Sequence, residues 1–83
     1  MKVELTKQAK KDVRLFSPEE RKRIGAALDK LQADPYSCDF KKLKGQEDLW
    51  RLRIGDLRVI IQPDKQAQIH YILTIKPRKN AYR

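Results

Sequence analysis

The stretch Trp50–Ile61, WRLRIGDLRVII, alternates apolar and cationic side chains on both sides of Gly55-Asp56. A glycine followed by an aspartate suits a two-residue hairpin loop, and side chains on a strand alternate between the two faces of a sheet. A hairpin with this loop places Arg53 opposite Arg58. One face then carries the arginines, Arg51, Arg53 and Arg58, and the other carries Trp50, Leu52, Ile54, Leu57, Val59 and Ile61.

The arginine face of this hairpin indicates a ligand site. Like charges directly opposite each other on neighbouring strands are destabilising, and a fold has no evident use for three guanidinium groups on one patch. Guanidinium groups match the geometry of phosphate, so a phosphate backbone is the natural ligand. The alternative is a solvated face that keeps a small protein soluble.

Charge along the 83-residue chain supports an anionic partner. The net charge is +9. Residues 1–40 carry nine basic and seven acidic residues, a net of +2, whereas residues 41–83 carry eleven and four, a net of +7. The basic half contains the hairpin. This asymmetry indicates nucleic acid, an anionic membrane surface or an acidic protein as the partner.

The composition also predicts a cellular setting. Cys38 is the only cysteine, which excludes an internal disulfide and fits a reducing compartment. The first residues lack the apolar core of a signal peptide, and no apolar run approaches membrane-spanning length. We therefore expect a cytoplasmic protein with no membrane partner.

The first half of the chain predicts a strand followed by two helices. The segment Lys2-Val3-Glu4-Leu5 alternates and indicates a short strand. Thr6 can cap a helix that runs to about Phe16. Ser17 begins a second helix, because proline and two glutamates follow it, and this helix should end near Ala33.

The second half predicts the rest of a sheet. Residues 36–48 form a loop, the hairpin strands cover about 49–54 and 57–62, and a turn falls at 63–65. Residues 67–75 form a last strand with Ile69, Tyr71, Leu73 and Ile75 on one face, and the tail leaves from a sheet edge. His70 is interpreted as a half-buried structural residue. The order predicts an α+β fold, with an N-terminal strand, two helices and a three-stranded antiparallel meander, and with both helices on one face of a mainly antiparallel sheet.

Further candidate ligand-binding residues lie in the loop and in the tail. Lys41, Lys42 and Lys44 cluster in the loop and suit phosphate contact, or solubility alone. In the tail, Tyr82 beside Arg78 suits base stacking or proton transfer, or simply packing. The spacing required of metal ligands or of a glycine-rich phosphate loop is not present, so we expect no metal and no cofactor.

Two segments resemble the RelE/ParE toxin superfamily, and the length and element order of essentially the whole chain match it too. The first is Leu43-Lys44-Gly45 followed by the hairpin, and the second is the ending Pro77–Arg83, PRKNAYR. This resemblance implies the RelE-like fold over residues 1–83. It also implies a toxin of a type II toxin–antitoxin system that cleaves mRNA in the ribosomal A site.

The resemblance further implies roles for particular residues. A metal-independent endoribonuclease of this kind uses attack by the ribose 2′-hydroxyl. Its catalytic set would be Arg51, Arg53, Arg58, Arg78 and Tyr82, with Arg58 stabilising the phosphorane. Since arginine is very hard to deprotonate, the identity of the general base stays open. The RNA-binding set would be Lys41, Lys42, Lys44, Lys76, Lys79 and Arg83.

The implied partners are the ribosome with its mRNA and rRNA, and a cognate acidic, RelB-like antitoxin. The toxin–antitoxin complex can be higher-order and can bind DNA through the antitoxin. Two other functions remain open from the sequence. One is a ParE-like inhibitor of DNA gyrase, and the other is an RNA- or DNA-binding module without catalysis.

Overall fold

The computed structural model describes residues 1–45 and 48–77. Its elements follow one another in this order: β1 Lys2–Leu5, α1 Lys7–Arg14, α2 Pro18–Ala33, a 3-10 turn Pro35–Ser37, β2 Phe40–Lys42, β3 Trp50–Ile54, β4 Leu57–Asp64 and β5 Ile69–Pro77. The strands form a five-stranded sheet in the order β1-β5-β4-β3-β2. Only β1 and β5 are parallel. The predicted α+β class with a mainly antiparallel sheet is confirmed.

Both helices begin where their capping residues predict. The Thr6 hydroxyl accepts a hydrogen bond from the Ala9 N–H at 3.3 Å. The Ser17 hydroxyl accepts from the Glu20 N–H, and the Glu20 carboxylate accepts from the Ser17 N–H, which completes a capping box. Helix α1 ends two residues earlier than predicted. The N–H groups of residues 15 and 16 bond three residues back, to the carbonyls of residues 12 and 13, so the last turn tightens.

The core lies between the helices and one face of the sheet. The residues predicted for the apolar face of the hairpin all belong to it except Trp50, which is only partly buried. The buried apolar residues are Ala9, Phe16, Ile24, Leu28, Leu31, Leu52, Ile54, Leu57, Val59, Ile61, Ile72 and Ile75. No helix in the described ranges is long and apolar enough to cross a membrane.

The predicted hairpin is confirmed with its register. Ile54 pairs with Leu57, and Arg53 pairs with Arg58. Gly55, the first loop residue, has a φ of +59°, a conformation that glycine adopts readily and other residues adopt at a cost.

The loop predicted at residues 36–48 contains an additional strand. Strand β2 is short, and its Phe40 pairs with Leu52 of β3. Three residues, one aromatic and two lysines, give no alternation long enough to predict a strand. The antiparallel meander therefore has four strands rather than three, and the lysines at 41 and 42 lie in a strand rather than in a loop.

The last strand differs from the prediction in phase. The register between β4 and β5 shifts between Ile60 and Ile61, whose partners are Thr74 and Ile72, so Leu73 is an extra residue. Beyond this bulge the faces exchange, and the expected common face of residues 69, 71, 73 and 75 is wrong. Strand β5 lies between β1 and β4 only over Ile69–Ile72, and its later part has no partner in β1, so its C-terminal end lies at a sheet edge as expected.

The turn before β5 comes later than predicted. Strand β4 continues through Pro63 to Asp64, so the turn covers residues 65–68. The Asp64 carboxylate accepts from the Ala67 N–H at 3.0 Å, and Gln68 has a φ of 58°. The aspartate thus stabilises a turn that it precedes.

Candidate nucleic-acid interface on the outer face of the sheet

Three basic residues from three adjacent strands form a cross-strand row on the face of the sheet opposite the core. Arg53 of β3 pairs with Arg58 of β4, and Arg58 pairs with Lys76 of β5. We call these three residues the cationic row. Arg51 lies on the same face and pairs with Lys41 of β2. The predicted clustering of the three arginines is therefore present, and the sheet adds two lysines to it.

Asp39 lies at the β2 end of this face and pairs with two of the arginines. Its Oδ1 is 3.2 Å from Arg51 Nη1, and its Oδ2 is 3.9 Å from Arg53 Nε. The Arg51 side chain is only 14% exposed, whereas that of Asp39 is 40% exposed. The expectation that the fold has no use for these guanidinium groups is therefore wrong for Arg51 and Arg53.

Asp12 lies at the other end of the cationic row. This buried carboxylate of α1 accepts from Lys76 Nζ at 3.0 Å, from the Ile75 N–H at 3.0 Å and from Gln8 Nε2 at 3.0 Å. Burial raises the pKa of Asp12, but these hydrogen bonds and the Lys76 charge lower it more, so the pKa lies below its ordinary value of 3.8. Lys76 is thus held in an ion pair next to Arg58.

The lysines predicted to contact RNA do not share one surface. Lys41 is exposed on the arginine face, since it pairs with Arg51. Lys42 pairs with Trp50 and points to the opposite face. Lys44 is exposed in the turn that follows β2. Among the described lysines of that set, the geometry joins Lys41 and Lys76 to the arginines. Four predicted site residues, Arg78, Lys79, Tyr82 and Arg83, lie outside the described residues.

Two acidic residues of this surface were missed from the sequence. For Asp12 a signal exists, because it lies three residues after Ala9 and four before Phe16, on the buried face of α1. For Asp39 the sequence offers no comparable signal. Its position depends on β2, where the Asp39 carbonyl accepts from the Arg53 N–H at 3.0 Å.

A pocket of about 830 Å³ lies away from this surface, and His70 is among the residues that line it. His70 is 4% exposed rather than half-buried, and it contacts Phe40 edge to face. Its Nδ1 has no hydrogen-bond partner within the described part of the chain. Burial, followed by the charge of the N-terminus, lowers the pKa of His70 below 6.5. Residues 1–45 and 48–77 contain no group of three His, Cys, Asp or Glu that could hold a metal ion.

The outer face can orient an anion more readily than it can transfer a proton. Guanidinium groups from two strands and the ammonium groups of two lysines lie there, and they suit the negative charge that develops on a phosphorane. The nearby carboxylates Asp12 and Asp39 are both engaged by cations. The fold and this surface define a small basic α+β protein suited to an anionic chain.

Comparisons with known proteins agree with this class. The chain matches the family model of the ParE toxin of the type II toxin-antitoxin system parDE over residues 3–82. It is 31% identical to the Methanocaldococcus jannaschii protein named "Putative toxin RelE1", over 98% of this chain and 93% of that protein. The chain belongs to the RelE/ParE superfamily of type II toxin–antitoxin toxins.

Solved structures share the fold. The RelE chain of the RelE-RelB complex from Pyrococcus horikoshii OT3 superposes with a TM-score of 0.77 at 32% identity, and 93% of each chain is covered. The toxin–antitoxin complex RelBE2 of Mycobacterium tuberculosis gives a TM-score of 0.81 at 21% identity, with 93% of this chain and 96% of that chain covered. The expected RelE-like fold is therefore confirmed.

Proposed function

We propose that this protein is a ribosome-dependent endoribonuclease that cleaves mRNA in the ribosomal A site and so inhibits translation. The observation that carries the proposal is the cationic row with Arg51 and Lys41 beside it on the outer face of the sheet. The likeness to proteins named RelE supports it further. The protein would act in the cytoplasm.

The proposed reaction is attack of the ribose 2′-hydroxyl on the adjacent phosphate. The P–O bond to the leaving 5′-oxygen breaks, and the products are a cyclic phosphate and a 5′-hydroxyl. Arg58, in the middle of the cationic row, would stabilise the dianionic phosphorane, while Arg51 and Arg53 hold the strand. Arg78 and Tyr82 are proposed to protonate the leaving oxygen and to orient the nucleotide or accept the 2′-proton. The ribosome would supply the orientation of the substrate that this surface lacks.

We also propose an acidic, RelB-like antitoxin as the partner that neutralises the toxin. The net charge of +9 favours an acidic protein as the partner. Two of the similar structures are toxin–antitoxin complexes, one named RelE-RelB and the other RelBE2. Assembly of the complex to higher order, and DNA binding through the antitoxin, belong to the same proposal.

Inhibition of DNA gyrase is the second candidate function. The observation in its favour is the family model itself, which describes the ParE toxin of parDE. A cationic sheet face suits DNA as well as RNA. A binding module without catalysis would use the same surface.

One pair of assays separates these functions. The purified protein is added to ribosomes programmed with mRNA, and cleavage is mapped by primer extension; in parallel it is added to gyrase with relaxed plasmid. We expect cleavage on the ribosome, intact naked mRNA and unchanged supercoiling. Inhibited supercoiling with intact mRNA would instead support the gyrase function, and RNA binding without either effect would support the binding module.

A further inference from the structure

Asp39 contacts the same guanidinium groups that an anionic ligand would use. Its two carboxylate oxygens are directed to Arg51 Nη1 and Arg53 Nε. The backbone bond from the Arg53 N–H to the Asp39 carbonyl fixes the position of this residue at the β2 end of the face. The Arg53 side chain is 34% exposed, so a ligand can reach its guanidinium group directly, whereas Arg51 is only 14% exposed.

A carboxylate and a phosphate compete for guanidinium donors, because both are anionic groups that can accept two hydrogen bonds from one guanidinium group. A phosphate that approaches Arg51 or Arg53 must displace Asp39 or accept its negative charge nearby. Both alternatives weaken binding.

We propose that Asp39 is a specificity-determining residue that competes with the RNA strand for Arg51 and Arg53. It lowers the affinity of the free toxin for isolated single strands. A strand positioned on the whole face, with Arg58 and Lys76 also engaged, offsets the loss of the Asp39 pairs. The proposal rests on the proposed function in taking RNA as the ligand.

The test is equilibrium binding of a labelled single-stranded oligouridylate of about eight nucleotides, a length within the usual site size, without ribosomes. The variants are Asp39→Asn and the control Asp29→Asn, an exposed position on α2 that changes the net charge equally. At one salt concentration of about 0.15 M, where the Debye length is about 8 Å, we expect about three- to tenfold tighter binding for Asp39→Asn, as for loss of a partly exposed charge pair. Asp29→Asn should change binding by less than about twofold, because exposed distant charges are screened.

A double-mutant cycle makes the inference specific. In a background with Arg51→Gln and Arg53→Gln, Asp39→Asn should have no more effect than the control. Thermal melts of every variant, with Asp39→Ser as a second substitution, establish that the comparison is between folded proteins. Binding by Asp39→Asn that is equal to the control, weaker than wild type, or undetectable in both proteins would overturn the proposal. Cleavage by the wild type on ribosomes is measured separately. Absence of cleavage would contradict the proposed function without affecting the binding result for Asp39.

Discussion

Arg58 occupies the middle of the cationic row, between Arg53 on β3 and Lys76 on β5. Its side chain lies on the outer face, so truncation opens no cavity in the core. Arg58→Ala should therefore abolish toxicity while the protein stays folded. Arg58→Lys should also have strongly reduced toxicity, since an ammonium group cannot reproduce the two parallel hydrogen bonds of a guanidinium group to a phosphate.

Growth assays and thermal melts of the same variants check this prediction. Arg14→Ala, at an exposed position in α1, is the control for loss of one positive charge. An Arg58→Ala protein that melts normally and remains toxic would remove Arg58 from the site. A variant that fails to fold would show that Arg58 serves the structure.

The lowered pKa of Asp12 predicts that the free energy of unfolding depends on pH. Its folded pKa lies below 3.8, so its contribution is full above that pH and is lost as the pH falls through the folded value. Asp12→Ala should lower the free energy of unfolding by about 2 kcal/mol at neutral pH, because it leaves the buried Ile75 N–H and the Lys76 ammonium without their acceptor.

Denaturant unfolding at several pH values tests the role of the Asp12 charge. The difference in the free energy of unfolding between wild type and Asp12→Asn should be largest at neutral pH and should decrease below pH 3.8. Asp29→Asn, on the exposed side of α2, provides the comparison. A difference that is constant with pH would contradict a charged Asp12 in the folded protein.

At the scale of elements, local chemistry predicts part of the structure and distant pairing decides the rest. The helix starts follow from Thr6 and Ser17, and the hairpin register follows from Gly55-Asp56, since each depends on neighbours in sequence. Strand β2 and the bulge at Leu73 depend on partners on other strands. The arginine face was therefore predictable, whereas Asp39 and the separation of Lys41 from Lys42 were not.

The hairpin loop and helix α2 give opposite predictions for the same substitution. Gly55→Ala should destabilise the protein by about 1 kcal/mol, because a non-glycine residue is strained at a positive φ and its Cβ would lie 3.3 Å from Arg23 Nη1. Gly25→Ala should stabilise it by about 0.5–1 kcal/mol, because Gly25 is helical and its Cβ would meet open space. Thermal melts of both variants that shift in the same direction would contradict this interpretation.

Strand β2 presents its two lysines to opposite faces, and this distinguishes their expected roles. Lys41→Gln should weaken binding of a single-stranded RNA by about two- to threefold and reduce the salt dependence of the affinity. Lys42→Gln carries the same charge change on the Trp50 side and should have a smaller effect. Titrations at several salt concentrations check this. Equal effects of the two variants would place the RNA elsewhere.

At the scale of the whole molecule, the excess of positive charge predicts how the antitoxin binds. Co-expression with a cognate acidic partner should restore growth, and the purified complex should melt at a higher temperature than the toxin, because a ligand that binds only the folded state stabilises it. The association rate should fall with added salt, as expected for steering between opposite charges. A partner whose association rate is indifferent to salt would contradict the electrostatic basis of this recognition.

The parallel pairing of β1 with β5 has a consequence for the order of folding. Residues 2–5 begin the chain, but their partners are residues 69–72, and the Thr6 hydroxyl also bonds to the Ile72 carbonyl. Closing such a long loop is entropically unfavourable until most of the chain is in place. During translation the first strand must wait for residues 69–72 to emerge. The complete sheet, and with it the full cationic row, therefore forms only once residues 69–77 are available to pair.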